Sequence, residues 1–223
     1  MPVQRQRIEI GEETSARKVF VWAVDWPGWC RGGKDRDVAM ASLLDHADRY
    51  AEVAKAAGLD FPAVEAHDLR VVESVGGGGG TEFGVPSTIT DLDRSQVTAA
   101  DAERLASLVE ATWVVLDRVA ATAPAELRKG PRGGGRDRDK MLGHVIEAER
   151  AYAREIGVRL STPSFDDRAA VDVERAAILE VLGRHSDGSP LADRTWTLRY
   201  AARRIAWHAL DHAWEMEDRS GDV

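Results

Sequence analysis

The chain has 223 residues, of which 43 % are apolar and 30 % charged, and its formal net charge is −8. That length admits one large domain or two small ones, and the composition supports a packed core rather than a disordered chain. The acidic balance argues against a general nucleic-acid binder, which carries a basic footprint, and against binding to an anionic membrane surface.

The lone cysteine, Cys30, excludes an internal disulfide. The opening residues are polar and charged, with no apolar leader region, and no run reaches membrane-spanning length, so a cytoplasmic protein is expected. Lysine occurs only at Lys18, Lys34, Lys55, Lys129 and Lys140 among 30 basic residues, a bias that GC-rich genomes produce.

The first half reads as mixed. Lys18 to Val24, rich in β-branched and aromatic residues, predicts a strand that runs into a turn at Pro27 and Gly28. Asp35 to Ala57 predicts one helix, with Val38, Leu43, Leu44, Ala47, Val53 and Ala54 at helical spacing and Gly58 beyond its end. Leu69 to Val75 predicts a short strand. The glycines from Gly76 to Gly80 lack the lysine and serine or threonine of a phosphate-binding loop and read as a surface loop. Thr81 to Ser95, with Pro86 and several aspartates, reads as a linker.

From Val97 the pattern turns helical. Thr98 and Asp101 resemble a capping box, and Leu105, Leu108, Val109, Thr112, Leu116 and Val119 carry a helix to about Ala123. Second and third helices follow, over Asp139 to Ile156 and from a cap at Ser164 to Asp167 as far as about His185. The fourth spans Leu198 to Arg219. The fold class is therefore α+β: a small mixed α/β domain over residues 1–90, then an up-and-down four-helix bundle over 97–220.

The chemistry concentrates on the fourth helix. His208 and His212 lie one turn apart, on the apolar stripe of Ala201, Ile205 and Met216, so both imidazoles are expected to point into the bundle. Buried imidazoles need partners, and a divalent cation satisfies two at once. Ala209 stands where a zincin protease carries glutamate, so that reading is unsupported. His144, beside Met141, Val145 and Ala148 on the second helix, offers a third ligand. Three histidines leave a coordination position open, as catalytic sites do.

These residues carry a resemblance. Gly143 to Glu149 around His144, together with His208 and His212, resemble the DinB superfamily of metal-binding bundles over about Val97 to Arg219. The resemblance implies a divalent metal, Zn²⁺ or Ni²⁺, on His144, His208 and His212, and a transferase using a low-molecular-weight thiol of the mycothiol type with an electrophilic small molecule. Mycothiol is a thiol of GC-rich organisms, which agrees with the arginine bias. In the first half, Asp25, Pro27 and Gly28, between a strand and a helix, are similar to a segment of HicB-like α/β domains, which implies fold and no function.

Other residues are candidates around this centre. Arg204, one turn before His208, is placed to clamp a carboxylate of the thiol cofactor or substrate. Glu147 could approach the metal or act as a base, or lie on a solvated face, and Glu149 lies nearby in sequence. Asp211 could orient a ligand histidine or pair with an arginine. Trp207 and Trp214 could wall the site or pack between elements. The basic loop Arg128 to Lys140 could attract an anion to the bundle mouth. Cys30 reads as a packed residue, and His46, His67 and His185 receive no role. The competing reading is a non-catalytic binding or scaffold protein with a structural or vacant three-histidine site; a homodimer through bundle helices is compatible with both readings.

Overall fold

The computed structural model describes residues 7–130, 134–161 and 163–221. Strands β1 (Ile8–Thr14), β2 (Val19–Ala23) and β3 (Cys30–Gly33) precede helices α1 (Arg36–Asp45) and α2 (Ala47–Ala56). Strand β4 (Leu69–Gly76) and a single turn of helix, α3 (Gly79–Glu82), follow. Helices α4 (Ala99–Thr122), α5 (Arg138–Glu155), α6 (Arg168–Leu182) and α7 (Leu198–Arg219) complete the fold. The protein is α+β, with a mixed sheet ordered β3-β2-β1-β4; β1 runs antiparallel to β2 and parallel to β4. Among the described residues no helix is long and apolar enough to cross a membrane.

Three features of the first half differ from the sequence reading. Strand β1 was not expected, because Glu12 and Glu13 sit in it and both are buried. Glu12 takes a bidentate pair from Arg36, with Nη2 at 2.6 Å. Glu13 accepts from the Thr81 hydroxyl and from the backbone N–H groups of Ser87 and Thr88 at 3.3 and 3.0 Å. The predicted linker is therefore a strap whose donors satisfy a buried carboxyl group in the sheet. The single helix expected over Asp35 to Ala57 is two, broken at His46. There the ring Nδ1 donates to the Ser42 carbonyl at 2.8 Å, the acceptor that a continuing helix would give to the backbone.

The four long helices lie where periodicity and caps put them. The Thr98 hydroxyl accepts from the Asp101 N–H, Asp167 caps α6 through the Ala170 N–H, and Thr197 caps α7 through Tyr200. Helix α7 packs on α4, α5 and α6, and its other side meets the sheet half, with Phe20 against Trp207 and Arg31 paired to Asp211. Gly28 makes that approach possible: its φ is +93°, and a Cβ there would meet Leu210 and Ala206. Buried side chains of both halves, from Ile8 to Met216, form one continuous cluster.

A buried clamp fixes the strap to α7. Arg203, 5 % exposed, donates to Asp93, 4 % exposed, at 2.6 and 3.2 Å, while its guanidinium lies 4.2 Å from the Trp22 ring. Asp93 also accepts from the Thr90 N–H and hydroxyl at 3.0 and 3.2 Å. Removing one partner strands the other charge in the interior. Asp93→Ala is expected to cost about 3–5 kcal/mol in urea unfolding, against under about 1 kcal/mol for truncating an exposed partner such as Glu52.

A second polar group lies inside the bundle. Arg175 pairs with buried Glu149 at 3.1 Å and with Asp117 at 3.2 Å, its guanidinium 5.0 Å from the Trp113 ring. Burial, reinforced by the nearby Glu149 carboxylate, pushes the Glu174 carboxyl up to about 7. A carboxyl raised in the folded state favours folding while protonated, and that contribution is lost as pH climbs through about 7. Glu174→Gln removes the titration. The variant's melting temperature should therefore gain on wild type between pH 5 and pH 8, and parallel curves would show that Glu174 is not strained by ionisation.

Candidate metal centre

Helix α5 supplies His144, and α7 supplies His208 and His212 from successive turns of its face toward α5. The ring centroids lie 5.1 Å apart for His144 and His208, 5.1 Å for His144 and His212, and 4.7 Å for His208 and His212. One nitrogen from each ring falls within 4.8 Å of the other two, so the three can hold a metal ion. The Nε2 atoms of His144 and His208 are 3.3 Å apart. A tetrahedral ion with Zn–N bonds of about 2.0–2.1 Å separates its nitrogens by about 3.3–3.4 Å, so this pair already stands at ligand spacing.

The environment favours the neutral, ligating form of His208 and His144. Burial pushes the His208 imidazole down to about 2, helped by the neighbouring His212 and Arg204. The His144 ring is lowered by burial and by Arg136. The Nδ1 atom of His208 is buried without a hydrogen-bond partner.

Behind His212 stands an orienting chain that the sequence reading missed. His212 Nδ1 lies 3.1 Å from Glu215 Oε2, and the other Glu215 oxygen accepts from Arg219 Nη1 at 2.7 Å. Arg219 Nε donates in turn to the Arg128 carbonyl at 2.7 Å. The bond from His212 holds the Glu215 carboxyl below its ordinary range, with Arg219 adding to the effect. An ionised carboxylate can only accept, so Nδ1 of His212 carries the proton and Nε2 is left for a metal. The signal was present in the sequence: Glu215 follows His212 by three residues, and Arg219 follows Glu215 by four.

The other candidates fall in distinct places. Arg204 is buried, its guanidinium 4.6 Å from the Trp207 ring and 5.2 Å from that of Tyr152, with Nη1 lacking a partner. Tyr152, two turns after His144, packs its ring 5.6 Å from His208 and was also missed. Glu147 is exposed and lines an open groove of about 410 Å³ with His144, Arg136, Lys140 and Phe165. Part of the predicted basic loop thus borders the site, while its residues 131–133 lie outside the described residues. Glu149 faces away, into the pair with Arg175. Asp211 pairs with Arg31 of β3 at 3.2 Å rather than with a ligand histidine. Trp207 packs edge-on against Phe20, and Trp214 against His46, so both join the halves. Burial pushes the Cys30 thiol up to about 12, which removes it as a nucleophile.

No protein-family model, curated protein or solved structure matches the chain.

The Glu215 carboxylate fixes the tautomer and the orientation of His212. Glu215→Gln keeps the shape and loses the charge. It should weaken Zn²⁺ binding by about 10–100-fold in competition with a chromophoric chelator, and unchanged affinity would show that the carboxylate does not orient the ligand.

Proposed function

We propose that the protein is a DinB-like, divalent-metal-dependent transferase that works with a low-molecular-weight thiol of the mycothiol type, with Zn²⁺ or Ni²⁺ on His144, His208 and His212. The observation that carries the metal reading is the convergence of three imidazoles from two facing helices, within 4.8 Å of one another. The thiol and the transfer reaction rest on the resemblance of the residues around these histidines to that superfamily, and on the metal's need for a fourth ligand.

In this reading the bound metal supplies Lewis acidity that lowers the pKa of a coordinated thiol into the neutral range. The chain's own residues do the rest. Glu215 and Arg219 hold His212 in its ligating tautomer. Tyr152 and Trp196, ring centroids 5.2 Å apart, cover the His208 side and keep it dry. His144 is the half-buried member of the trio and opens on the groove, where Arg136 and Lys140 attract the anionic groups of a thiol cofactor or substrate. Arg204 brings an unpaired guanidinium nitrogen to the same neighbourhood, suited to a carboxylate.

Elemental analysis of untagged protein, wild type beside His208→Ala, tests the centre. Thiol consumption against a model electrophile, with Zn²⁺ or Ni²⁺ supplied, then tests the activity. The expected result is about one equivalent of metal, lost in the variant, together with metal-dependent thiol addition. Failure to bind either ion overturns the proposal. Metal bound without any acceleration would instead favour the scaffold reading, in which the ion is structural.

A further inference from the structure

Acidic residues outnumber basic ones by 38 to 30 in the chain, yet four cationic side chains gather at one end of the β2–β3 ladder. Arg17, Lys18, Arg31 and Lys34 line a pocket of about 370 Å³ together with Gly32 and Gly84. The register explains the crowding. Val19 pairs with Gly33 and Phe20 with Gly32, so the next step of the ladder sets Lys18 beside Lys34. Like charges opposed across a strand pair destabilise it. Arg17 is answered by Glu82 at 2.7 Å and Arg31 by Asp211 at 3.2 Å, but no ion pair among the described residues answers either lysine. The Arg31 Nε is also buried without a partner. Four cations thus face two carboxylates.

The walls keep the pocket open. A Cβ on Gly32 would strike the Phe20 ring at 2.8 Å, and one on Gly84, whose φ is +94°, would press on Lys18 Nζ at 3.1 Å. Glycine at both places leaves backbone and cations within reach of a compact anion.

We propose that this pocket is an anion site that takes a small molecule bearing linked phosphoryl groups, held between Lys18 and Lys34 and oriented by Arg31. Two adjacent ammonium groups and a guanidinium suit adjoining phosphates better than one carboxylate, and the volume is that of a small ligand. The site is separate from the histidine centre and does not depend on it.

Calorimetric titration of the full chain with inorganic pyrophosphate at low salt tests the assignment, comparing wild type with the double variant Lys18→Gln, Lys34→Gln and with the single variant Lys34→Glu. Lys34 is exposed, so the single variant guards against a folding defect in the double one. The expected result is saturable binding that weakens as salt is added, and at least about tenfold loss of affinity in both variants with melting temperatures no lower than wild type, since each relieves the Lys18–Lys34 repulsion. Absence of binding by wild type overturns the proposal. So does pyrophosphate binding that the variants keep at wild-type strength, whether it sits on a metal ion or elsewhere on the surface.

Discussion

Helix α7 is buried on every side, and the rest of the fold answers to that constraint. Of its 22 residues 17 are buried, without a gap from Tyr200 to Leu210. A helix enclosed all round is ordinarily apolar, yet this one carries Arg203, Arg204, His208, His212 and Arg219 among its buried positions. Each polar atom there needs a partner, since an unpaired one costs the interior its desolvation energy. Arg203 finds Asp93, Arg219 finds Glu215 and a carbonyl, and His212 finds the same carboxylate. Arg199 Nε, Arg204 Nη1, Trp207 Nε1, His208 Nδ1 and Arg219 Nη2 are left without partners along the helix. Two of these, on Arg204 and His208, lie one turn apart beside the candidate metal ligands.

The same constraint explains why the sheet belongs to this chain. Bundle helices α4, α5 and α6 cover only part of α7. The remaining side would expose Trp207, Leu210 and Trp214 if β2, the turn at Gly28, β3 and His46 did not lie on it. Gly28 lets the turn after β2 come down onto Ala206 and Leu210, while Asp211 meets Arg31 at the rim. Polar links reinforce the seam: Arg104 donates to the Asp25 carbonyl at 2.6 Å, and the Thr197 hydroxyl to the Asp93 carbonyl at 2.7 Å. The sheet is therefore a wall of the helix core. It holds α7 in a dry environment, and burial there disfavours the charged form of His208.

The bundle was legible in the sequence because its signals are local. Leucines and valines at helical spacing, the Thr98 and Asp167 caps and the breaks at Pro124 and Pro163 each act within a few residues. The three histidines were legible for the same reason, two of them sharing one helical stripe. Strand β1 was not, because its buried glutamates look like surface residues until Arg36 and the strap from Thr81 to Thr88 arrive from distant sequence. The strap itself read as a linker because its partners lie across the sheet and on α7. Helix α1 and α2 read as one because the break is made by a side chain, His46, whose propensity does not forbid helix. Glu215 stood in helical register with His212, but register alone does not tell an orienting carboxylate from one that points to solvent, and the chain through Arg219 closes only at the Arg128 carbonyl, distant in sequence.

Electrostatics bears on what the centre would accept under the proposed reading. Three imidazoles contribute no charge, and the one carboxylate in contact with them, Glu215, is shared with Arg219. Arg204 and Arg136 add positive potential, and both oppose protonation of His208. A dication on the three nitrogens would therefore sit in a site with little negative charge of its own. Each neighbouring cation that opposes a proton on the rings opposes a metal as well, and the balance is restored most directly by an anionic fourth ligand. A thiolate meets that need, so does a carboxylate drawn in by the arginines, and a coordinated water meets it by losing a proton. Beside His144 the groove carries Asp139 and Glu147 as well as Arg136 and Lys140, so both signs of charge stand at its mouth. The open position would thus be filled from the groove, by solvent or substrate, while the protein supplies the three nitrogens.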